Sequence, residues 1–193
     1  MTDEAAEPVL GRWRIPASVA AIILAAGVTG CGTGDDPGPT STSLKPDQVI
    51  EIENGLRAKP SLEAVQAEYK AAVTTMADRI AALTPGTTWQ FAQNTWTGCT
   101  GKYGATHAKQ AYMLAAFSGP IPDAVWPKAL QIAKDGAAPF GATDYGTFTD
   151  EPGHHDIYLA GPDGVEFQLG TKGSSTLTGR SDCRMSWADK GSG

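Results

Sequence analysis

The sequence predicts an α+β two-layer sandwich, in which two helices pack on one face of an antiparallel sheet of five or six strands. Three observations favour this fold: a long segment with the helical period, a shorter one, and a series of short β-favourable segments separated by turn residues. The expected order is helix, two strands, helix, and then three or four antiparallel strands. Helices gathered on one face of an antiparallel sheet are typical of the α+β class.

The first helix is predicted over residues 60–83. Its apolar residues recur three or four positions apart, which is the period of an amphipathic helix. Ser61 is suited to cap this helix, and Thr-Pro-Gly at 84–86 is suited to end it. A coiled-coil seam is the alternative, but the stripe departs from strict heptads at Arg79, so packing against a sheet is favoured. The stripe consists of Leu62, Val65, Tyr69, Val73, Met76, Ile80 and Leu83.

The second helix and the strands follow from turn signals. Pro122 suits a first helical turn, but Pro127 moves the expected start to about Trp126, and Gly141 ends the region. The sequence GPDG at 161–164 is a strong tight-turn signal between two strands. We expect strands at residues 87–96, 109–117, 144–150, 154–160, 165–170 and 176–187.

The composition is that of a globular protein. Hydrophobic residues make up 41% of the 193 residues and charged residues make up 19%, a balance that disordered chains do not show. The formal net charge is -6, which opposes binding to the phosphates of nucleic acid. We therefore expect no nucleic-acid partner.

The N-terminus predicts a lipoprotein signal peptide over residues 1–30. Arg12 and Arg14 precede an uncharged run at 15–30, which has 16 residues counting both ends. This is shorter than the roughly 20 residues of a membrane-spanning helix. The run leads into Val-Thr-Gly-Cys, which resembles a bacterial lipobox. A lipobox implies that the thiol of Cys31 is diacylated and that cleavage leaves this residue at the N-terminus; two acyl chains hold a protein stably on a membrane.

This interpretation places the protein at the cell membrane, on the extracytoplasmic face, with a palmitate-type lipid anchor. Residues 31–46 are the acylated cysteine and a flexible tether rich in Gly, Pro, Ser and Thr. Residues 47–193 are predicted to form a single α+β domain. The alternative is an uncleaved anchor, or an ordinary signal peptide followed by a chance cysteine.

The remaining two cysteines form an even pair once Cys31 is assigned to the anchor. In an exported protein we expect a disulfide between Cys99 and Cys183, because oxidising compartments favour disulfides. Neither residue has a cysteine or histidine two to four positions away, so a zinc site is disfavoured. A reactive thiol is the other alternative.

The histidines are the most suggestive candidates for chemistry. In the sequence GHHD, a strand would place His154 and Asp156 on one face and His155 on the other. If His107 came close, these side chains could form a metal site of nitrogen and carboxylate ligands. The alternative, which we favour, is that these residues begin a strand after a turn and hydrogen-bond the loop backbone.

Other catalytic motifs are missing from the sequence. It has no GxSxG nucleophile elbow, and GCTGKY at 98–103 fails the phosphate-loop pattern because tyrosine follows the lysine. We therefore predict no catalytic residue and no cofactor. Four tryptophans could line a groove for a lipid or a glycan, although core packing is the default role for such large side chains. They are Trp89, Trp96, Trp126 and Trp187.

Long stretches of the chain resemble a known family. The lipobox, the loop WTGCTGKYG, the WPKAL helix and the stretch DEPGHHDIYLAGPDGVEFQLGTKGSSTLTGRSDCR look like the LppA-like lipoproteins of mycobacteria and related actinobacteria, over about residues 62–184. The resemblance implies an envelope-anchored lipoprotein of unknown biochemical role, and it assigns no catalytic residue.

The function predicted from the sequence is a non-enzymatic cell-envelope lipoprotein. Its disulfide-linked domain is expected to bind an envelope protein or a small ligand, and its membrane partner is reached through Cys31. A metal-dependent hydrolase that uses His154, His155 and Asp156 is one alternative. A lipid or glycan carrier with an apolar cavity between sheet and helices is another.

Overall fold

A computed structural model describes residues 44–191, in which a six-stranded antiparallel sheet packs against helices. The helices are α1 (Pro46–Arg57), α2 (Leu62–Ala81), α3 (Trp126–Ala137) and α4 (Trp187–Lys190). The strands are β1 (Trp89–Gly98), β2 (Lys109–Phe117), β3 (Asp144–Glu151), β4 (His154–Ala160), β5 (Glu166–Thr171) and β6 (Ser175–Arg180). The predicted signal peptide, the acylated Cys31 and most of the predicted tether lie outside the described residues. Within residues 44–191, no helix has the length and apolar character needed to cross a bilayer.

The strands lie in the order β1-β2-β6-β5-β4-β3, and every neighbouring pair is antiparallel. This confirms the predicted α+β class and the upper of the two expected strand numbers. In β2 and β4, buried residues alternate with half-buried ones. That alternation is the pattern of strands with one face on a core.

Helices α2 and α3 cover the buried face of the sheet. The hydroxyl of Ser61 caps α2 by accepting a hydrogen bond from the backbone N–H of Ala64 at 3.3 Å, as the sequence predicted. Phe167 of β5 is fully buried beneath α2, and its ring lies 5.3 Å from that of Tyr69 and 5.4 Å from that of Phe140. These three rings form the aromatic centre of the core.

The two long helices approach each other closely at a glycine. A Cβ atom added to Gly136 of α3 would lie 2.3 Å from the sulfur of Met76 on α2. Met76 is itself 1% exposed, so its side chain has little room to move. The glycine is thus what permits this contact between the helices.

Three parts of the chain differ from the sequence prediction. Helices α1 and α4 were not predicted, and β6 ends at Arg180 although a strand was expected to continue to Trp187. The strand ends because the hydroxyl of the next residue, Ser181, accepts the β2 backbone N–H of Ala111 at 2.9 Å. A side chain thus takes the place of a backbone ladder partner, and the chain leaves the regular strand.

A disulfide joins Cys99, directly after β1, to Cys183 in the C-terminal segment, with the two Cα atoms 6.1 Å apart. It lies beside a small apolar cluster separate from the main core, which includes Leu56 of α1 together with Ala108 and Met185. The chain-entropy model gives about 4.5 kcal/mol of stabilisation for a loop of 84 residues.

Candidate functional site

His155 is held by two carboxylates at the start of β4. Its Nδ1 lies 2.6 Å from Oδ1 of Asp150 on β3, and its Nε2 lies 3.0 Å from Oδ1 of Asp123 in the loop before α3. The imidazole also stacks on the ring of Trp126, with ring centres 4.6 Å apart. Both ring nitrogens therefore have carboxylate partners, and one face of the ring is covered.

Asp123 also binds the backbone of the turn between β3 and β4. The backbone N–H of Gly153 donates to its two carboxylate oxygens at 2.9 and 3.1 Å. This N–H is the main cause that lowers the pKa of Asp123, and the hydrogen bond from His155 lowers that pKa further. The arrangement ties the β3–β4 hairpin to the loop before α3, so its evident effect is structural.

The structure does not bring together His107, His154, His155 and Asp156, the set that the sequence offered as a possible metal site. His155 is buried on the helix side of the sheet, whereas its neighbours on β4 alternate to the other face and are half-buried. The register aligns His155 with Thr171 and then Ser175, beyond the last β2 pairing, while His107 precedes the opposite end of β2. Among residues 44–191, no three histidine, cysteine, aspartate or glutamate side chains are placed to hold a metal ion.

His107 has a different partner. Its backbone N–H donates to Oε1 of Glu53 on α1 at 3.0 Å, and its Nδ1 lies 2.8 Å from the same oxygen. The backbone hydrogen bond is the main cause that lowers the pKa of Glu53, against the burial that raises it. His107 thereby fastens α1 to the start of β2.

The tryptophans do not line a common groove. The indole N–H of Trp89 donates to Asp78 near the end of α2, whereas the backbone N–H of Trp187 donates to Glu63 at the beginning of the same helix. Fifteen residues of helix separate these two contacts (78 minus 63), which is about 22 Å. Trp126 is buried, which fits the core role that we favoured for it, and the four tryptophans do not form the alternative groove.

The residues that do converge line a cleft between α2, the turns at 138–140 and 162–165, and the C-terminal segment. We call it the Arg184 cleft. Its volume is about 320 Å³. Apolar side chains such as Val65 and Phe140 form one part of its wall. The polar part consists of Lys59, Glu68, Tyr69, Asp163, Asp182 and Arg184.

Asp182 is the central acceptor of the cleft. Its carboxylate accepts from Nε of Arg184 at 2.7 Å and from Nζ of Lys59 at 3.1 Å. Burial lowers the pKa of Lys59, but the bonds and charges of Asp182 and then Asp163 outweigh it and raise that pKa overall. Lys59 therefore stays charged in the cleft.

Asp163 forms the rim with three donors. Lys59 and Lys102 reach its carboxylate at 3.4 and 3.2 Å, and the hydroxyl of Tyr103 reaches it at 3.2 Å. The hydrogen bond from Lys102 is the main cause that lowers the pKa of Asp163. Asp163 has a φ of 55°, a left-handed conformation that aspartate tolerates better than most residues. The GPDG turn thus brings a charged side chain to the cleft.

Two polar groups in the cleft have no hydrogen-bond partner among the residues that the structure describes. Nη1 of Arg184 is buried and has no hydrogen-bond acceptor among the described residues. An unpaired buried donor of this kind costs about 1–3 kcal/mol. The carboxylate of Glu68, which lines the same cleft, makes no hydrogen bond or ion pair within residues 44–191. Tyr69 lines the same cleft. Burial raises the pKa of its hydroxyl, and the negative charge of Asp182 adds to that effect. The cleft can therefore offer a donor and an acceptor to a ligand.

Sequence reasoning missed this cleft because its residues are widely separated along the chain. The two signals available were the GPDG turn and the Asp-Cys-Arg sequence at 182–184. The sequence predicted the first only as a tight turn between strands, and from the second it singled out only Cys183.

Comparison with known proteins identifies similar sequences and a similar fold. A family model described as "LppA: Lipoprotein confined to pathogenic Mycobacterium" matches residues 37–187. Lipoprotein LppB of Mycobacterium tuberculosis (strain H37Rv) is 28% identical over 190 residues, covering 90% of this chain and 82% of its own. Lipoprotein LppA of the same strain is 28% identical over 184 residues, covering 90% and 83%.

A crystal structure of LppA from Mycobacterium tuberculosis has a similar fold. It superposes with a TM-score of 0.65 at 24% identity, and the match covers 75% of this chain and 90% of that one. This similarity supports the architecture described above.

Proposed function

Because the chain belongs to the LppA family of lipoproteins, we propose that it is exported, acylated at Cys31 and held on the extracytoplasmic face of the cell membrane. There, its α+β domain binds a small ligand or an envelope protein without catalysing a reaction. The observation that supports a location in the cell envelope is the membership of a lipoprotein family. The lipobox-like sequence at 28–31 and the uncharged run before it support the anchor.

The length of the tether suits an anchored domain. Helix α1 begins at Pro46, fifteen residues after Cys31 (46 minus 31), and an extended chain of that length spans at most about 50 Å. An acylated Cys31 would therefore hold the start of α1 within that distance of the membrane.

The anchor is tested with Cys31→Ala in the full chain, grown with labelled palmitate. We expect the variant to lose the label and to accumulate as an unprocessed precursor. Thr33→Ala, two residues away, is the matched control and should process normally. Normal processing and membrane partition of Cys31→Ala would defeat the proposal.

The observation that favours binding over catalysis is the pairing of His155. A general base needs one ring nitrogen free to take a proton, and a metal ligand needs a free nitrogen as well. Both nitrogens of His155 face carboxylates at 3.0 Å or less. Elemental analysis of the purified protein is the direct test. Stoichiometric zinc that is lost in His155→Ala would overturn the non-enzymatic proposal in favour of a metal-dependent hydrolase.

The Arg184 cleft is the binding place that we propose for a small ligand. A ligand with an acceptor group would satisfy the unpaired Nη1 of Arg184 after a small movement of that side chain, and the wall at Phe140 favours an apolar body. A fully enclosed acyl chain fits the protein less well, because side chains such as Phe167 fill the interface between helices and sheet. The lipid-carrier alternative is therefore not favoured.

N-acetylphenylalanine is a suitable probe, since it joins a carboxylate to an aromatic ring. We expect it to shift backbone amide signals around the Arg184 cleft in NMR spectra. Arg184→Lys should weaken this effect, because lysine has no second nitrogen to present. Arg180→Lys, the same substitution on the other face of the sheet, is the control. Equal responses of the two variants, or signals that do not shift, would rule the cleft out as the site.

A further inference from the structure

The most unusual surface of the domain is its β1 edge. Among the strands of residues 44–191, β1 pairs with β2 on one side only, so its other side presents backbone N–H and C=O groups that no described strand pairs with. None of the ten residues in Trp89–Gly98 is charged, and no charged residue occurs from Ile80 to Gly101. Proteins usually protect such an edge with charge or proline, because an unprotected edge pairs with another strand.

The opposite edge of the same sheet is protected in that way. Strand β3 carries Asp144, Asp150 and Glu151 among its eight residues. The two edges of one sheet thus differ in charge. Charged residues thus protect the β3 edge from pairing with another strand, whereas the residues of β1 provide no such protection.

The exposed half of β1 is also well ordered by side-chain contacts. A register shift lies between Phe91 and Gln93, and residues 93–98 then pair regularly with β2. Gln66 of α2 accepts from the indole N–H of Trp96 at 2.7 Å and donates to Asn94 at 2.8 Å. Because these contacts fix the strand, little ordering entropy remains to be lost when a partner strand joins it.

A second copy of this chain is the occupant that the charges favour. The chain has a net charge of -6, so two copies repel each other on average, whereas the residues of β1 themselves add no charge to that repulsion. An antiparallel pairing of β1 with itself is isologous, since the same residues serve both partners. Centred near Thr95, it would place threonine opposite threonine, a favourable cross-strand pair.

We infer that two copies of the chain join through residues 93–98 of β1, in antiparallel orientation, to form one continuous sheet. Such a sheet has twelve strands, six from each copy. The interface uses backbone hydrogen bonds in the manner of strand addition. It needs neither the Arg184 cleft nor the acylation of Cys31.

The test uses the full chain in the membranes of an expressing cell, with a photo-crosslinking amino acid at Thr97. We expect irradiation to yield a product of twice the chain mass. The same probe at Thr147, an exposed residue on the β3 edge, is the matched control and should give none. A product of another mass at Thr97, or no product, would overturn the inference.

Charge variants at Thr95 provide the second readout. Thr95→Lys alone and Thr95→Glu alone should each reduce the Thr97 crosslink about fivefold, because like charges then face each other across the pairing. Co-expression of the two variants should restore it. If the single variants crosslink as well as the parent, or if the mixture fails to recover, β1 is not the interface. Intact Cys99–Cys183 disulfide in each variant shows that the domain has folded.

Discussion

Replacing Phe167 with alanine tests whether the aromatic centre holds the domain together. Phe167 is fully buried, and its ring contacts those of Tyr69 and Phe140. A buried phenylalanine replaced by alanine costs about 3–5 kcal/mol of unfolding free energy. Because two aromatic contacts are lost as well, we expect about 4 kcal/mol. For a domain of roughly 150 residues, that corresponds to a fall in melting temperature of about 8–16 °C.

Urea denaturation with the disulfide intact measures this difference. We expect the midpoint to fall while the slope of the unfolding free energy against urea stays the same, since the surface exposed on unfolding changes little. Phe148→Ala is the matched control. Its side chain is 60% exposed and lies 5.0 Å from the ring of Tyr158 on the other face of the sheet, so its loss should cost less than about 1 kcal/mol.

The comparison of the two phenylalanines decides the result. Both substitutions remove the same atoms, so a difference between them comes from burial and packing. If Phe148→Ala destabilised the domain as much as Phe167→Ala, or if Phe167→Ala cost less than about 1.5 kcal/mol, the packing described for β5 and α2 would be wrong.

Three further outcomes are expected. Replacing Cys99 and Cys183 together with serine should lower the unfolding free energy by up to about 4.5 kcal/mol in urea titrations; an unchanged midpoint would refute the stabilising role of the disulfide. The pKa of Asp123 is lowered by folding. Its contribution to the free energy of unfolding is therefore fully present above the ordinary carboxyl pKa of about 4, and it is lost as pH falls through the lower pKa of the folded state. Asp123→Asn should therefore flatten the acid side of a stability–pH curve, while Asp144→Asn should not. Ser181→Ala should cost about 1–3 kcal/mol, because it leaves a buried β2 N–H without its acceptor; a neutral effect in thermal unfolding would contradict the explanation of where β6 ends.

The sequence predicted best those elements whose residues alternate or repeat without interruption. Strands β2 and β4 have the predicted bounds, and buried and half-buried side chains alternate along all of β4 and along β2 from Ala111 onward. Helix α2 was recognised from its seven-residue apolar stripe. Helix α1 was not predicted although Val49, Ile52 and Leu56 lie three or four positions apart. Its inner face also carries the buried Glu53, and Leu56 packs on a small cluster away from the main core.

The site could be predicted less well, because its contacts depend on distant residues. The sequence drew attention to His155, but its partner Asp123 lies 32 residues earlier, in a loop whose position depends on α3. The sequence correctly placed His154 and His155 on opposite faces of a strand, but the position of His107 before the far end of β2 depends on the order of the strands. Arg184 and Lys59 both bind Asp182. Lys59 lies 123 residues before Asp182, so no local sequence pattern predicts this contact.

The attachment of α1 has a mechanical consequence. A force applied to the domain from its N-terminal side acts on α1 before it acts on the sheet. That helix is held by Leu56 in the small cluster and by Glu53, which His107 contacts. Behind it, the Cys99–Cys183 bond joins the end of β1 covalently to the C-terminal segment. Under tension, α1 would therefore detach first and lengthen the chain, while the disulfide keeps the sheet and the C-terminal segment joined.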